Sequence, residues 1–306
     1  MNVTKLTPEI GAEIHNIDIT QISATQIQQL KQQLKENHVI FLPNQPHSLT
    51  VSQHIEFGKH FGTLQSHPNL TKAVNVAHPE IFELKASKGG VANEWHTDLT
   101  FQTRPARISI LRMVECPAVG GDTMWASLSA AYDALSKPMQ DLIENLHALH
   151  DASPHNKPEV TAVHPLVRIQ PQTGRKCLYV SEHFTRRIVE LSAKESKALL
   201  EFLTLHIQDP RFNVRYHWTP NTLAIWDNTC TSHCVLNNFV GERHIMRVTI
   251  AGDVVEPVYD SDSVAYPPHT SGIAAGAQSR HDRQLFLHFK EEHKMPGIAG
   301  GFVAKL

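Results

Sequence analysis

The segment LAIWDNTCTSH, residues 223–233, runs from an apolar stretch through a turn to a histidine. Its first four residues are apolar and predict a buried strand, and the Asp-Asn pair after them is typical of a turn. Outward from this segment, short strand-like runs recur along the chain, at about 80–86, 107–115, 176–181, 212–217 and 246–251. Many short strands of this kind predict a mixed α+β, mainly β fold built as a sandwich or barrel, not an alternating βαβ sheet.

Helices are predicted at the margins of these strands. Three serines are placed as N-caps, each with a capping-box partner or an early proline downstream: Ser23 with Gln26, Ser192 with Glu195, and Ser136 with Pro138. A further helix is expected at about 50–61. The stretch 151–163 is rich in turn formers and has no apolar period, so we expect a long loop there, either a lid or a plain surface connection.

Composition limits the class of protein. The chain has 306 residues, 41% of them hydrophobic, and a formal net charge of −2 without long runs of one sign. This balance favours neither nucleic acid nor a membrane surface as a partner. The sequence shows no apolar stretch of about 18 residues and no secretion signal. Its four cysteines are typical of reduced cytosolic thiols, so we expect a cytoplasmic protein.

Three residues form the pattern that carries the chemistry. His96 and Asp98 stand two positions apart in NEWHTDLTF, residues 93–101, and alternation along an extended chain puts such positions on one face. His233 follows much later in the chain, again beside strand-like sequence. Two histidines and one carboxylate can form the facial triad that holds non-haem Fe(II) and leaves positions open for oxygen and substrate.

Other interpretations of these residues stay open. The same triad could hold zinc in a metal-dependent hydrolase that uses a metal-bound hydroxide. Cys230, His233 and Cys234 could instead form a soft zinc site, although no fourth ligand stands nearby and His96 and Asp98 would then have no role. A binding protein without catalysis is the third class, and the intact triad argues against it.

Several ordered motifs resemble the taurine dioxygenase family, which includes the 2,4-dichlorophenoxyacetate dioxygenases and the alkylsulfatases. The motifs are WHTDLTF at 95–101, GGDTMW at 120–125, IWDN at 225–228 with His233, and Arg243 and Arg247 ahead of Thr249. The likeness covers roughly residues 5–255. We therefore expect one dioxygenase domain over residues 1–255. Residues 256–306 would form a C-terminal extension of unknown role, packed on the same domain.

The resemblance implies a double-stranded β-helix (jelly roll) core with flanking helices. It also implies an enzyme that uses Fe(II), 2-oxoglutarate as cosubstrate, and O2. His96, Asp98 and His233 match the catalytic iron ligands of the family. Thr123 matches the hydroxyl that contacts the cosubstrate carboxylate, and Arg243 matches the arginine that pairs with its distal carboxylate, a task suited to the guanidinium fork.

A small anionic organic substrate is also implied. Arg247 stands four positions after Arg243, so both face the same side of a strand, and it matches the arginine that meets the anionic group of the substrate. His67 matches the sulfonate-contacting histidine of the family, and Phe184 matches an aromatic residue of the substrate pocket. Asn93 is a candidate for the asparagine that the family carries shortly before the iron motif.

Departures from the taurine enzymes favour a roomier and more apolar pocket. The tyrosine expected three positions after His67 is Leu70 here, and the stretch 151–163 lacks the second phenylalanine that the family would place there. A sulfonate such as taurine, an alkyl sulfate ester and an aryloxy-carboxylate all stay open. We expect hydroxylation at the carbon next to the heteroatom, with release of sulfite, sulfate or a phenol plus an aldehyde or ketoacid, and with succinate and CO2. The sequence leaves open whether the chain forms a homodimer or a homotetramer.

Overall fold

The computed structural model describes residues 1–66, 77–88 and 92–256. Within these ranges the chain forms five α-helices: α1 (Ala24–Asn37), α2 (Val51–Lys59), α3 (Leu128–Asp133), α4 (Lys137–Ile143) and α5 (Ala193–Ile207). Helices α1 and α5 begin at the predicted capping boxes, and α2 begins at a third, formed by Thr50 and Gln53. Ser136 is the N-cap residue of α4, but its side chain makes no capping hydrogen bond. The predicted helix starts are therefore confirmed.

The described chain contains sixteen strands. They are β1 (Asn2–Lys5), β2 (Ala12–His15), β3 (Val39–Leu42), β4 (Leu64–Gln65), β5 (Ile81–Lys88), β6 (Ala106–Glu115), β7 (Thr123–Ser127), β8 (His147–Ala152), β9 (Lys157–Pro165), β10 (Val167–Ile169), β11 (Lys176–Leu178), β12 (Thr185–Ile188), β13 (Asn213–Tyr216), β14 (Leu223–Asp227), β15 (Thr231–Val235) and β16 (Val240–Ala251). The expected mainly β fold with helices is confirmed.

The strands pair into one large sheet and three small ones. The large sheet has the order β1-β2-β3-β14-β6-β16-β4, with β5 added on β16. A second sheet has the order β13-β7-β15, a third has the order β12-β8-β9, and β10 pairs with β11. Apart from the parallel β2–β3 pair, the pairings among the described strands are antiparallel.

Strand β3 shows how the layers are stacked. Ile40 and Leu42 pack with α1 and α2 in one apolar cluster, whereas Val39 and Phe41 pack between the large sheet and the β13-β7-β15 sheet, against Trp125. Successive side chains of a strand point to opposite faces, so four consecutive apolar residues serve two cores. The outer side of the smaller sheet is covered by α3 and α5. The result is two packed sheets with helices outside each.

The predicted loop at 151–163 is wrong. Strands β8 and β9 run through most of it and pair antiparallel, and the connection is confined to the 3-10 turn Ser153–His155 and to Asn156, which has a φ of 58°. Ser153, Pro154 and Asn156 form this short connection, whereas the turn formers Asp151 and Pro158 lie within the two strands. Along β9 buried Ala162 and His164 alternate with less buried neighbours, a period too polar for the sequence to reveal. A lid of that length is therefore absent from 151–163.

Two predicted features, the C-terminal extension and the role of His67, cannot be compared with the described residues. None of the helices in the described ranges is long and apolar enough to cross a membrane. The predicted C-terminal extension at 256–306 lies outside the described residues, except for its first residue, and His67 lies outside them as well.

Candidate active site

Backbone pairing brings the two histidines of the predicted triad together. His96 lies between β5 and β6, and His233 lies in the middle of β15. The backbone N–H of His96 donates to the carbonyl oxygen of His233 at 2.9 Å, and the backbone N–H of His233 donates to the carbonyl oxygen of His96 at 2.7 Å. Asp98 follows His96 in a tight turn. One side-chain donor atom from each of the three residues lies within 4.8 Å of the other two, and all three side chains are buried. The predicted cluster therefore forms.

The two imidazoles are prepared to bind a metal. His96 Nδ1 lies 2.8 Å from the carbonyl oxygen of Glu94, so it donates its hydrogen there and Nε2 keeps a free lone pair. His233 packs between the rings of Trp125 and Trp226, and its Nδ1 is buried without a hydrogen-bond partner. Burial lowers the pKa of His233 to about 4 and also holds the pKa of His96 well below its usual value. Both rings are therefore neutral near pH 7, as metal coordination requires.

Asp98 stays ionised although it is buried. Burial by itself would raise the pKa of this carboxyl group, but Arg247, the two imidazoles and a hydrogen bond from Ser109 together hold the pKa well below its usual range. Arg247 Nη1 donates to Oδ1 at 2.8 Å, and Ser109 Oγ donates to Oδ2 at 2.7 Å. The chain thus presents two neutral nitrogen donors and one charged oxygen donor, a set that fits Fe(II).

Thr123 and Arg243 come together as the resemblance implies. Arg243 Nη2 donates to Thr123 Oγ1 at 3.4 Å, and Arg243 Nε donates to the carbonyl oxygen of Gly121 at 3.3 Å. Trp218 Nε1 donates to the same hydroxyl oxygen at 3.0 Å. Since two N–H groups occupy the acceptor side of this hydroxyl, its own proton is free to be donated to a carboxylate oxygen.

Arg243 is a buried cation, 4% exposed. Burial lowers the pKa of its guanidinium to about 10, which leaves it protonated at neutral pH. Among the described residues no carboxylate forms an ion pair with it, and its contacts are to a carbonyl and a hydroxyl oxygen. A buried charge without a counter-charge is costly, so this place is suited to an anionic ligand.

Arg247 lies on the same strand and faces the triad. Besides its ion pair with Asp98, it stacks over Phe82 with its Cζ 5.1 Å from the ring centroid. Its Nε is buried and has no hydrogen-bond partner within the part of the chain that the structure describes. One donor of this guanidinium therefore holds Asp98, while another is available to a second acceptor.

An aromatic wall, which we define as Phe101, His155, His183 and Phe184, flanks the triad. The ring centroid of Phe184 lies 6.2 Å from that of His96, and 5.1, 5.7 and 4.6 Å from those of Phe101, His155 and His183. The stretch 151–163 contributes an imidazole, His155, to this wall and not the expected phenylalanine. Burial, with smaller contributions from neighbouring cations, lowers the pKa of His155 to about 4, so this ring is neutral as well.

The remaining candidates are not gathered at the triad. Asn93 is exposed, three positions before His96. Cys230 Sγ lies 3.1 Å from His38 Nδ1, and Cys234 packs in the apolar cluster beneath α3 and α5. Among the described residues the two cysteines therefore form no metal cluster with His233, and the soft zinc site is wrong.

Sequence reasoning missed the residues that contact Asp98, Thr123 and Phe184. Ser109 stands inside the apolar run of β6 and is fully buried. A single hydroxyl residue within an apolar strand was the signal that the sequence offered. Trp218 and His155 carried no local signal, because their partners Thr123 and Phe184 are distant in the sequence.

The comparison with known proteins agrees with this geometry. Residues 2–249 match the family model described as "Taurine catabolism dioxygenase TauD, TfdA family". An alkylsulfatase of Acinetobacter baylyi is 33% identical over 277 residues, covering 83% of this chain and 86% of its own. An alpha-ketoglutarate-dependent sulfonate dioxygenase of Saccharomyces cerevisiae is 31% identical over 299 residues, covering 87% and 71%.

The fold is similar to that of solved members of the same family. The crystal structure of a taurine dioxygenase from Burkholderia xenovorans superimposes with a TM-score of 0.75 at 33% identity, covering 84% of this chain and 93% of that one. The family match agrees with the buried His-Asp-His cluster. The chain belongs to the TauD, TfdA family, and it is an alpha-ketoglutarate-dependent dioxygenase, an oxidoreductase that uses Fe(II), 2-oxoglutarate and O2.

Proposed function

We propose that this dioxygenase hydroxylates a small organic anion, an alkyl sulfate ester or a sulfonate, at the carbon next to the heteroatom. The observation that carries the proposal is Arg247, a buried guanidinium that holds Asp98 with one nitrogen and has a second N–H without a hydrogen-bond partner among the described residues. An anionic head bound there would lie beside the triad. The names of the relatives, a sulfonate dioxygenase and an alkylsulfatase, support the same substrate class.

We assign iron to His96, Asp98 and His233, and we assign the double-stranded β-helix of the family to the two packed sheets. The bound iron, together with 2-oxoglutarate and O2, would supply the oxidising chemistry. The chain contributes two neutral imidazoles and one carboxylate held ionised by its neighbours. The residues behind the triad orient these donors, and burial keeps bulk water away from them.

The cosubstrate is assigned to Arg243 and Thr123. A carboxylate can bind the guanidinium fork of Arg243, which has no acidic partner among the described residues, and can accept the free proton of the Thr123 hydroxyl. Trp218 keeps that hydroxyl oriented, because its N–H occupies one acceptor position of Thr123 Oγ1. Two charge-assisted contacts at one buried place would select a carboxylate, such as one end of 2-oxoglutarate, over a neutral keto compound.

The substrate is assigned to the space between Arg247 and the aromatic wall. Arg247 would bind the anionic head, and Phe184 with Phe101 would cover the hydrocarbon part and exclude water. His155 presents a neutral ring edge to the same space. His67 and Asn93 stay proposed contacts on the resemblance alone. An aryloxy-carboxylate is the second candidate, because a carboxylate would satisfy the same guanidinium.

The proposed reaction balances as follows. One C–H bond of the substrate becomes C–OH with one atom of O2, while 2-oxoglutarate takes the other atom and becomes succinate and CO2. A sulfate ester hydroxylated at that carbon breaks its C–O bond and yields an aldehyde and sulfate. A sulfonate breaks its C–S bond and yields an aldehyde and sulfite, and an aryloxyacetate yields a phenol and a ketoacid.

Substrate binding can be tested without turnover. Fe(II) and 2-oxoglutarate are added to the protein under anaerobic conditions, and the weak visible charge-transfer band is recorded. Hexyl sulfate, hexanesulfonate, taurine and phenoxyacetate are then added in turn, with hexanol as the neutral control. We expect a sulfate ester or sulfonate to shift the band and hexanol to leave it unchanged. Admission of O2 should then give hexanal and succinate in equal amounts, with sulfate or sulfite.

The zinc-type hydrolase is the alternative that this experiment also addresses. It is disfavoured because hydrolysis gives no reason for a second buried cation at Arg243 with a free hydroxyl proton beside it. Absence of the band from folded, iron-loaded protein would overturn the oxygenase assignment. Sulfate release from Zn(II)-loaded protein without O2 and 2-oxoglutarate would favour the hydrolase instead.

A further inference from the structure

A closed ring of hydrogen bonds joins Asp98 to Asn228 through Ser109. Ser109 Oγ donates to Asp98 Oδ2 at 2.7 Å, and Asn228 Nδ2 donates to Ser109 Oγ at 3.0 Å. The backbone N–H of Asp98 then donates to Asn228 Oδ1 at 3.3 Å. One amide side chain therefore contacts Asp98 directly at its backbone and, through the hydroxyl, at its carboxylate.

The direction of this ring is determined by a fourth residue. Trp226 Nε1 donates to Asn228 Oδ1 at 3.0 Å, so the amide oxygen accepts two N–H groups and cannot exchange places with the amide nitrogen. Asn228 Nδ2 must then point at Ser109. Since the hydroxyl oxygen accepts this hydrogen, its own proton goes to Asp98.

The ring is fully buried. Relative exposure is 0% for Ser109 and Asn228, 1% for Trp226 and 4% for Asp98. Ser109 and Trp226 are paired residues of the neighbouring strands β6 and β14, and Asn228 lies in the turn just after β14. Buried polar groups of this kind stabilise one arrangement strongly when each has its partner, because an unpaired group would be costly.

The two oxygens of Asp98 are held in different ways. Oδ1 accepts from Arg247, a cation that the proposed function shares with the substrate. Oδ2 accepts from Ser109, a neutral hydroxyl that has no second acceptor in the ring. Only the contact through Ser109 is therefore independent of whether a substrate is bound.

We propose that Ser109 and Asn228 are positioning residues for the metal. They hold the carboxylate of Asp98 in its rotamer before the metal arrives and keep it there when Arg247 is drawn to an anion. The proposal rests on the assignment of Asp98 as a metal ligand. Removal of the partners that orient a metal ligand commonly weakens metal affinity about 10- to 100-fold.

The test is a Co(II) titration of metal-free protein by calorimetry and by the visible ligand-field bands of Co(II). Ser109→Ala removes the hydroxyl. Asn228→Asp keeps the size and the acceptor oxygen for Trp226, but it turns the donor to Ser109 into an acceptor that competes for the Ser109 proton. We expect both variants to bind Co(II) at least about tenfold more weakly than the unaltered chain, with altered bands.

Thr222→Val is the matched control. It removes another fully buried hydroxyl, which bonds to Thr219 and to Tyr216 and lies just before β14, at the opposite end of that strand from Asp227. We expect wild-type Co(II) affinity from this variant. Thermal unfolding of the metal-free proteins gives a second readout: added Co(II) should raise the Tm of the wild-type chain and the control more than that of the two ring variants.

Different results would contradict the positioning role of Ser109 and Asn228 and the assignment of Asp98 as a metal ligand. Absence of Co(II) binding by the unaltered chain would remove the metal site itself. Normal binding by the unaltered chain, with equal affinity in Ser109→Ala and Asn228→Asp, would overturn the positioning role. An equal loss in Thr222→Val would do the same, because it would show a general effect of a lost buried hydroxyl.

Discussion

Arg243 and Arg247 lie four positions apart on the same face of β16, and their surroundings differ. Both are buried, but Arg247 pairs with Asp98, whereas the hydrogen bonds of Arg243 within the described chain go to a carbonyl and a hydroxyl oxygen. The charge of Arg247 is balanced by Asp98 before any ligand binds, and the charge of Arg243 has no such partner among the described residues. We infer that Arg243 depends on its ligand for a counter-charge, while Arg247 divides its donors between the triad and the substrate.

Arg243→Ala should have the largest effect on activity. Loss of a charge-assisted contact to a buried carboxylate should raise the KM for 2-oxoglutarate about 100-fold and leave the KM for the organic anion nearly unchanged. Steady-state kinetics with each component varied in turn would measure both. Arg243→Lys is the control, since it keeps the charge without the fork and should recover part of the loss. An unchanged KM for 2-oxoglutarate in Arg243→Ala would contradict the assignment.

In contrast to these two charged arginines, His54 is buried as a neutral histidine. Burial lowers the pKa of His54, which lies 3.2 Å from the carbonyl oxygen of Ile110, to about 4. The unfolded chain, with a histidine pKa near 6.5, binds this proton more readily, so stability is complete above about pH 6.5 and falls as the pH drops towards 4.

Between pH 7.5 and pH 5 this single group should lower the free energy of unfolding by about 2 kcal/mol. Urea unfolding at the two pH values measures the loss, and His54→Gln, which cannot titrate, should reduce it by a similar amount. An identical pH dependence in the variant would show that His54 is not the group responsible.

Arg247→Ala should have a smaller effect than Arg243→Ala, and on the other ligand. We expect the KM for the organic anion to rise about tenfold while the KM for 2-oxoglutarate changes little, because the lost guanidinium faces the triad and not Thr123. Anaerobic titration of the visible band with the best substrate checks the binding step. Equal effects of the two alanine variants on 2-oxoglutarate would remove the distinction between the two arginines.

Trp218→Phe should give the smallest of these effects. It removes one N–H from Thr123 Oγ1 and keeps the aromatic bulk, so the KM for 2-oxoglutarate should rise about threefold to tenfold with little change in stability. Tyr216→Phe is the matched control from the same aromatic cluster, because its hydroxyl bonds to Glu13 instead. A similar change in Tyr216→Phe would point to disturbed packing instead of a lost hydrogen bond.

Much of the secondary structure was predictable because its causes are local. The capping boxes at Ser23 and Ser192 lie within four residues of sequence, and the strand beginning at Val39 is a continuous apolar run. The hairpin at 151–163 was not predictable by the same means. The buried positions of β9 include both Ala162 and His164, so burial there does not follow apolar character, and the pairing of β9 with β8 decides the conformation.

The candidate site divides in the same way. His96, Asp98, Thr123 and Arg243 carried local motifs; His96 and Asp98 cluster with His233, and Arg243 contacts Thr123. His155 took the place of an expected phenylalanine, which only its ring contacts with Phe184 reveal. The residues that hold Asp98 had no motif, because each partner comes from a different strand or turn.

The amino-acid sequence by itself determined which chemical groups the site has: two imidazoles, one carboxylate, one hydroxyl and two guanidinium groups at motif spacing. Only the tertiary structure decided which of these groups satisfy one another. Arg247 pairs with Asp98 and Arg243 does not pair with any described carboxylate, because the register of β16 against β5 and β6 places the one beside the triad and the other beside Thr123. Charge and hydrogen bonding act over a few ångströms, and contacts at that distance between remote segments exist only after the sheets have paired.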